Sequence, residues 1–358
     1  PHPIGTKNWL DLCFVETLHS YKPERRSSEM EKIRWGILAT GWIADQLAEA
    51  INHQPDAVCL AVGSRSQAAA DAFGDKWHIP RRYPTYEALA ADPDVDVIYI
   101  ATPHNLHTDN MKLCLNAGKH VLCEKPLTVN AAQAKECMDL AQEKGLFLME
   151  AMWMKFIPAI RQMMKWLDNG RIGTVRLVQA NFAFNVPFNP HGRLYDPALA
   201  GGALLDMGIY PATLVHLVLG KPDRILSAAH LGETGVDELN TAIWQYNHGA
   251  QAMLLSTQRV ERPCEAFITG SEGYIKLHHM FWHAQTLTVQ HVGGKPETIQ
   301  IPYEGNGYGY QVREVHDCLR AGKLESAVVP HADTLEIMTL LDEIRGQWGL
   351  QYPEEIAI

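Results

Sequence analysis

Three sets of residues in this chain have the types and spacing to do chemistry. The first is Gly36-Ile37-Leu38-Ala39-Thr40-Gly41-Trp42-Ile43-Ala44, a turn between an apolar run and a stretch with helical spacing. Backbone N–H groups at a strand-to-helix turn, with the helix dipole behind them, can hold a dinucleotide pyrophosphate. Against the G-x-G-x-x-G fingerprint the turn is degraded: Ala39 stands at the first glycine and Ala44 at the third, which leaves Gly41 at the point of closest approach. The same residues also read as an ordinary βα turn with one glycine for its backbone. The second set, Ser64-Arg65, ends the next apolar run about 20 residues further on. A carboxylate there would bind both ribose hydroxyls and favour NAD. A hydroxyl followed by a guanidinium suits the 2′-phosphate of NADP, through charge-assisted forked hydrogen bonds; the alternative is a solvated Arg at a helix start. The third set is Lys125, after an apolar run, with Asp206 and Tyr210 four residues apart. On a regular helix that spacing puts both on one face, although Pro211 lacks an N–H and can kink the turn. A phenol can take or give the proton of an alcohol oxygen, and a carboxylate on the same face can orient a donor beside it. Taken singly, the lysine also reads as a loop cation and the tyrosine as a core residue among Leu204, Leu205, Ile209, Leu214 and Leu217.

The elements that must position these groups follow from periodicity. Ile33–Ala39, Ala57–Gly63, Val95–Ala101, His120–Glu124 and Leu146–Glu150 read as strands, separated by helical stretches at 41–52, 66–73, 85–91, 105–117 and 130–144. Ser66 and Thr85 are expected N-caps, and Gly118 and Gly145 expected stops. Alternation of this kind implies right-handed βαβ units and an N-terminal doubly wound parallel sheet, a Rossmann domain over 30–151. After Met152 the rhythm changes. A helix at 158–167 leads to strand-like 175–184, a loop at 185–197 and a helix at 202–219; consecutive strands run from about 224 to 302, and helices at 311–320 and 332–347 follow. Strands without intervening helices imply a C-terminal α+β domain, 152–358, with an open, mainly antiparallel sheet for substrate binding and oligomerisation. Residues 1–29 differ from the rest. They read as an extension before Met30, with one short amphipathic stretch at Trp9–Leu18 and no sign of a secretory signal.

Composition narrows the classes. The 358 residues are 46% hydrophobic and 20% charged, a globular profile, and the net charge of -10 argues against nucleic acid or an anionic membrane as partner. No apolar run is expected to reach the ~20 residues that span a bilayer. Seven scattered cysteines (13, 59, 114, 123, 137, 264 and 318) read as reduced thiols, hence a cytoplasmic setting. The His278-His279-Met280-Phe281-Trp282-His283 run has no Cys or carboxylate at ligand spacing, so no metal is assigned. No nucleophile elbow supports covalent hydrolysis.

Thr102-Pro103-His104-Asn105-Leu106-His107 and Cys123-Glu124-Lys125-Pro126, in this order at successive strand ends, resemble the glucose–fructose oxidoreductase/inositol dehydrogenase (Gfo/Idh/MocA) family. Gly201-Gly202-Ala203-Leu204-Leu205-Asp206-Met207-Gly208-Ile209-Tyr210 is similar to its third signature, and Thr269-Gly270-Ser271-Glu272-Gly273 to its glycine turn. The resemblance runs from about Glu31 to the C-terminus, and the combination of motifs is far more specific than either alone. Tyr210, where many members carry His, together with Glu150–Phe156 and Arg193–Pro197, is similar to the dimeric dihydrodiol dehydrogenases and NADP-dependent D-xylose dehydrogenases. Lys155 stands where relatives often have Arg, His104 where many have Asn, and Gln311 where Glu is common.

The resemblance implies an NADP-dependent oxidoreductase, with NAD less favoured, acting on a sugar, polyol or cyclic diol. Tyr210 is then the expected general acid/base, Lys125 the cation that lowers its pKa, and Asp206 the group that orients Lys125 or accepts from a substrate hydroxyl. The expected cofactor contacts are Ala39, Thr40, Gly41, Trp42, Ile43, Ser64, Arg65, Thr102, Pro103, His104, His107, Glu124 and Lys125, with local capping an alternative for the two histidines. Trp153 is expected as an apolar wall for the substrate ring or as core. Arg193 is expected on substrate oxygens or in an ion pair with Asp196. Two other functions fit the same fold: a glycosidase that uses nicotinamide for transient oxidation, and a non-catalytic NADP-sensing regulator. A homodimer or higher homo-oligomer is implied as well.

Overall fold

The computed structural model describes residues 32–356, with only the backbone of Glu354 and Ile356. The extension at 1–29, its Trp9–Leu18 stretch and Cys13 lie outside the described residues. The chain begins with β1 (Ile33–Leu38), α1 (Trp42–Asn52), β2 (Ala57–Gly63), α2 (Gln67–Trp77), β3 (Arg81–Tyr83), α3 (Tyr86–Ala90), β4 (Val97–Ile100), α4 (His107–Asn116), β5 (His120–Cys123), α5 (Ala131–Lys144) and β6 (Leu148–Glu150). All six strands are parallel, in the order β3-β2-β1-β4-β5-β6, the doubly wound arrangement expected. β4 is buried at every residue because helices cover both faces, which is why it reads as a continuous apolar run. Ser66 and Thr85 cap α2 and α3 by accepting from Ala69 N at 3.3 Å and Ala88 N at 3.1 Å. β3 escapes sequence reading: three charged or aromatic residues at a sheet edge carry no alternation.

Register decides where the crevice lies. Leu38 pairs with Gly63 on one side and Ile100 on the other, and Ile100 pairs with Cys123. The segments that leave these strand ends, 39–41, 64–65, 101–104 and 124–125, therefore emerge side by side. They meet where the order reverses between β1 and β4, the place where open α/β sheets bind ligands.

A short helical turn at Trp153–Phe156 and α6 (Pro158–Asp168) lead to the second sheet: β7 (Val175–Ala183), β8 (Arg224–Leu231), β9 (Asp237–Gln245), β10 (Gln251–Thr257), β11 (Ala266–Gly270), β12 (Gly273–Leu277), β13 (Thr286–His291) and β14 (Glu297–Gln300). Its order is β14-β13-β12-β11-β7-β10-β9-β8, antiparallel except where β7 meets β10. Between β7 and β8 lies α7 (Ile209–Leu219), packed on β7 and β10 and entered through a π turn, Leu204–Gly208. One correction concerns this region. Pro197–Leu219 is long and apolar enough by composition to cross a membrane, contrary to the expectation that no stretch approaches that length; an 18-residue window within it has mean hydropathy 1.5, and 78% of that window is buried inside the protein. Of the last helices, α8 (Gly309–Arg320), α9 (His331–Gly346) and α10 (Pro353–Ile356), the first two return to the helices of the first sheet, although α9 also packs on α7 and β8. α8 packs on α1 and α9 on α5, and Trp35 Nε1 in β1 donates to His316 of α8 at 3.0 Å. The six described cysteines are buried and form no disulfide.

Candidate active site

At the end of β1, Ala39 adopts φ 82°, the left-handed conformation that the missing first glycine would take without strain. Its N–H donates to Gly63 O at 3.0 Å, which binds the turn to the end of β2. Gly41 is the N-cap of α1 and brings no capping side chain, so the first amides of that helix are left for a ligand. A Cβ on Gly41 would meet nothing within 4 Å. Asp45, in the first turn, would repel a phosphate, but Lys76 at 2.9 Å and Trp77 Nε1 at 2.7 Å hold its carboxylate. Trp42 is 71% exposed beside the turn, and Ile43 is half-buried. Thr40 Oγ1 lies 3.3 Å from Ser64 Oγ, which joins the first two expected sets. Arg65 next to it is exposed and has no hydrogen bond or ion pair among the described residues. Open amides, a small residue at the approach and an unspent guanidinium fit a dinucleotide carrying an extra phosphate.

Lys125 follows β5 on a cis Lys125–Pro126 bond. Its Nζ donates to Asp206 O at 2.8 Å and to Asp206 Oδ1 at 3.1 Å, which spends two of its three N–H groups and leaves one for a ligand. The same Nζ sits 5.0 Å from the centre of the Tyr210 ring. The third expected set therefore converges, although Lys125 and Asp206 are 81 positions apart in sequence. The π turn makes the Asp206–Tyr210 spacing irregular. It also accommodates Pro211, whose ring would otherwise press on the carbonyl of Met207 one turn back.

Arg193 pairs with Asp206, NH1 at 2.8 Å and NH2 at 3.3 Å, and not with Asp196 as one reading had it. Asp196 instead caps the next turn through Ala198 N. Burial alone would raise the Asp206 pKa, but Lys125 and Arg193 hold the carboxyl well below the usual carboxylate range. His104 completes the cluster. Its Nε2 is 3.7 Å from Asp206 Oδ1 and its Nδ1 is 3.4 Å from Ala200 O; burial pushes its pKa well down and keeps it neutral.

Tyr210 departs from expectation. It is 5% exposed, and its pKa is raised well above that of a free phenol by burial, with Tyr308 and Glu124 adding to the shift. Lys125 Nζ lies over the ring, 5.0 Å from its centre, and burial outweighs the lowering expected of that cation. Trp153 Nε1 donates to Tyr210 Oη at 2.9 Å and is the group that favours the phenolate. The indole in turn stacks on Tyr308 at 4.2 Å and on His283 at 5.5 Å. Phe182 and Trp282, stacked at 3.8 Å, close the other side of the Tyr210 ring. Tyr308 and Phe182 carried no signal in the sequence, and Trp282 and His283 stood out only as part of the histidine run considered for a metal.

Other expected residues serve differently. Both ring nitrogens of His107 meet carbonyl oxygens, Thr102 O and Pro126 O, each at 2.9 Å, and the ring is fully buried. It therefore ties the loops after β4 and β5 together and has no polar atom left for the expected cofactor contact. Glu124 is buried and accepts from Tyr99 Oη and from the Lys125 N–H at 3.3 Å; burial pushes its carboxyl up to about 7. Thr102 is buried and accepts from Asn110 at 3.1 Å, and Pro103 starts the short turn that carries His104. Lys155, only 3% exposed, pairs with Asp333 of α9 at 2.8 Å. The histidine run disperses: His278 meets Thr288, His279 accepts from Cys264 N, and His283 faces Tyr303.

Comparison with known proteins agrees with this layout. Residues 33–152 match the family model described as "Oxidoreductase family, NAD-binding Rossmann fold", and 160–276 match the GFO/IDH/MocA C-terminal domain. Trans-1,2-dihydrobenzene-1,2-diol dehydrogenase of Mus musculus is 36% identical over 335 residues, which cover 90% of this chain and 99% of the relative. The Homo sapiens protein of that name is 35% identical with the same coverage. Among solved structures, a 3-ketoreductase from Actinomadura kijaniata in complex with NADP and TDP-benzene superposes with TM-score 0.81 at 27% identity, covering 88% of this chain and 98% of that one. An aldose–aldose oxidoreductase from Caulobacter crescentus shares the fold with TM-score 0.81 at 23% identity, covering 89% of this chain and 99% of that one.

Proposed function

The chain belongs to the Gfo/Idh/MocA family of NAD(P)-dependent oxidoreductases, and on that premise we propose that it moves a hydride between NADP and a ring CH–OH or ketone of a sugar, polyol or cyclic diol. The observation that carries this reading is the convergence of Lys125, from the first sheet, with Asp206 and Tyr210, from α7 and its π turn, beside the strand ends that form the crevice. The dihydrobenzene diol in the relatives' name supports a cyclic substrate, and the unspent Arg65 beside Ser64 supports NADP over NAD.

In this reading the amides at the start of α1 and the Ala39–Gly41 turn hold the pyrophosphate, Ser64 and Arg65 the 2′-phosphate, and Pro103 and His104 border the nicotinamide side. The nicotinamide accepts or delivers the hydride when bound. The remaining chemistry belongs to the chain. Trp153 donates to Tyr210 Oη, so the phenol's own hydrogen is free to point at a substrate oxygen. With its pKa raised, Tyr210 is a neutral acid at pH 7 and is set to protonate the oxygen formed when a ketone is reduced. In the oxidative direction it must first lose that proton, so oxidation is favoured at alkaline pH. The third N–H of Lys125 steadies the same oxygen, and Asp206 fixes the direction of that donor. The buried rings of Phe182, Trp282 and Trp153 pack around Tyr210 and hold its hydroxyl in place.

The test is turnover of NADP and of NAD, in both directions, against aldoses, inositols, cyclic diols and their ketones, with Tyr210→Phe and Lys125→Ala alongside. Turnover on one ring class, cut at least a hundredfold in both variants, is expected. Cofactor binding without any turnover would sink the proposal and favour the sensor, whereas glycoside cleavage without net cofactor change would favour the glycosidase. The row Leu226, Ile243 and Met253, side by side in register and exposed on the open sheet face, supports a homodimer there. Ile243→Glu should lower the sedimentation mass, and an unchanged mass would refute that surface.

A further inference from the structure

The last turn of the chain touches both halves of the site's support. Tyr352 is 1% exposed, and its Oη donates to Gly201 O at 2.7 Å. Gly201 and Gly202 form the hinge from which Ala203 and the π turn carry Asp206. Gly202 has φ +123°, and a Cβ there would come within 2.3 Å of Asp237 and 3.3 Å of Tyr352 Oη, so only glycine fits under the tyrosine. Ala200, one residue before the hinge, presents the carbonyl that faces His104 Nδ1. Asp237 accepts from Leu204 N at 2.8 Å and so fixes the far side of the same hinge.

Three residues past Tyr352, the carboxylate of Glu355 collects four donors. It accepts from both terminal nitrogens of Arg345, from Tyr352 N at 2.9 Å and from Asn130 Nδ2 at 3.0 Å. Asn130 is the N-cap of α5 and closes the loop that starts at Lys125. Asp342 of α9 accepts from the next amide, Ala131 N, at 2.8 Å and from Arg345 at 2.7 Å. The segment from Lys125 to Ala131 is thus fastened at its far end by the C-terminal turn, and that turn is fastened through Tyr352 to the loop that carries Asp206. The guanidinium of Arg345 lies 5.4 Å from the Tyr352 ring centre and joins the two attachments.

We infer that Tyr352 and Glu355 are positioning residues: the C-terminal turn is a tie that sets the Lys125 loop and the Asp206 turn in register, so that Lys125 Nζ meets the backbone carbonyl and Oδ1 of Asp206. Neither residue contacts the cluster itself. Their effect passes through the hinge at Gly201 and the cap at Asn130. The part of this inference that concerns catalysis rests on the oxidoreductase reading; the mechanical part does not.

Hydrogen exchange on the full chain decides the mechanical part. Glu355 hydrogen-bonds none of residues 201–208, yet a tie requires amides there, as well as those of 127–134, to exchange faster in Glu355→Gln, by about tenfold for the loss of one charge-assisted buried hydrogen bond. Tyr352→Phe, which removes one oxygen, should speed exchange in 201–208 by a similar factor with little change in the overall melting profile. Faster exchange confined to 127–134 and 350–356 in Glu355→Gln would overturn the tie and leave two unconnected contacts. On the substrate found by the turnover panel, Tyr352→Phe should lower kcat about five- to tenfold with KM for NADP unchanged, because the cofactor turn lies elsewhere. Unchanged kcat, or a rise in KM alone, would overturn the positioning role. If the wild-type protein turns over nothing, the oxidoreductase reading fails by that result, and the exchange experiment still decides the tie.

Discussion

Replacing Asp206 by Asn removes one negative charge from between two cations and changes nothing in size. In the folded protein the carboxylate lies 3.1 Å from Lys125 Nζ and 2.8 Å from Arg193 NH1, with 14% of its side chain exposed. A pair at ~4 Å in a medium of effective dielectric ~20 is worth about 4 kcal/mol before desolvation is subtracted. Removing one partner of a buried pair typically costs about 3–5 kcal/mol, because the other charge stays behind unpaired. Half of the Arg193 side chain faces solvent, so its share is largely screened and the lower end applies. A loss of about 3 kcal/mol at pH 7 is expected. With a urea m-value of roughly 3 kcal/mol/M, the unfolding midpoint should fall by about 1 M.

The pH dependence tests the cause. The folded pKa of Asp206 is depressed, so its stabilisation is fully present above the unfolded value near 4 and is lost as pH falls through the folded value. Wild type and Asp206→Asn should therefore differ by a constant amount from pH 8 to about pH 5 and converge only below about pH 4. Urea titrations at pH 8, 7, 6, 5, 4 and 3.5 would measure this. A difference that already fades between pH 7 and 5, or one below about 1 kcal/mol at pH 7, would refute the assignment of Asp206 as the anion that balances Lys125 and Arg193.

Trp153→Phe keeps the ring stacked on Tyr308 but deletes the donor to Tyr210 Oη. Since a hydrogen bond to a charged oxygen exceeds one to a neutral oxygen by about 1 kcal/mol, the alkaline rise of oxidative kcat/KM should move up by roughly 0.5–1 pH unit; an unmoved profile would separate Trp153 from the acid/base step. Arg65→Ala should weaken NADP binding about tenfold or more with NAD binding nearly unchanged, and stability should stay within about 0.5 kcal/mol, because the side chain is exposed and unpaired among the described residues. Equal loss for both cofactors would remove Arg65 from the 2′-phosphate site. Glu124 has its folded pKa raised to about 7, so its contribution to stability is full below the unfolded value near 4.3 and is lost as pH rises through about 7. Glu124→Gln should flatten the decline in stability between pH 5 and 8; a slope as steep as wild type would place the responsible proton elsewhere, with Asp237, also raised to about 7, the next group to replace.

Much of this protein was legible in one dimension. Strand and helix alternate with periods read from short windows of neighbouring residues, and Ser66 and Thr85 cap the helices that start beside them as expected. Chemistry that depends on residue type was legible too: a guanidinium after Ser64, a lysine after a strand, and a carboxylate four residues before a phenol. What the sequence left open depends on which distant surfaces meet. The donor to Tyr210 comes from 57 positions away, the anion on Lys125 from 81, and the tyrosine under Gly201 from 151. No local pattern encodes these pairings, because each is fixed by how the helices and the two sheets pack against one another. Arg193 shows the consequence within a single loop: Asp196 is the nearer carboxylate in sequence, but the turn at Pro197 uses it as a cap and leaves the guanidinium to Asp206. Likewise the pKa of Tyr210 follows from burial among Trp153, Phe182, Trp282 and Tyr308 and from a lysine placed over the ring face, a geometry that only the tertiary structure decides.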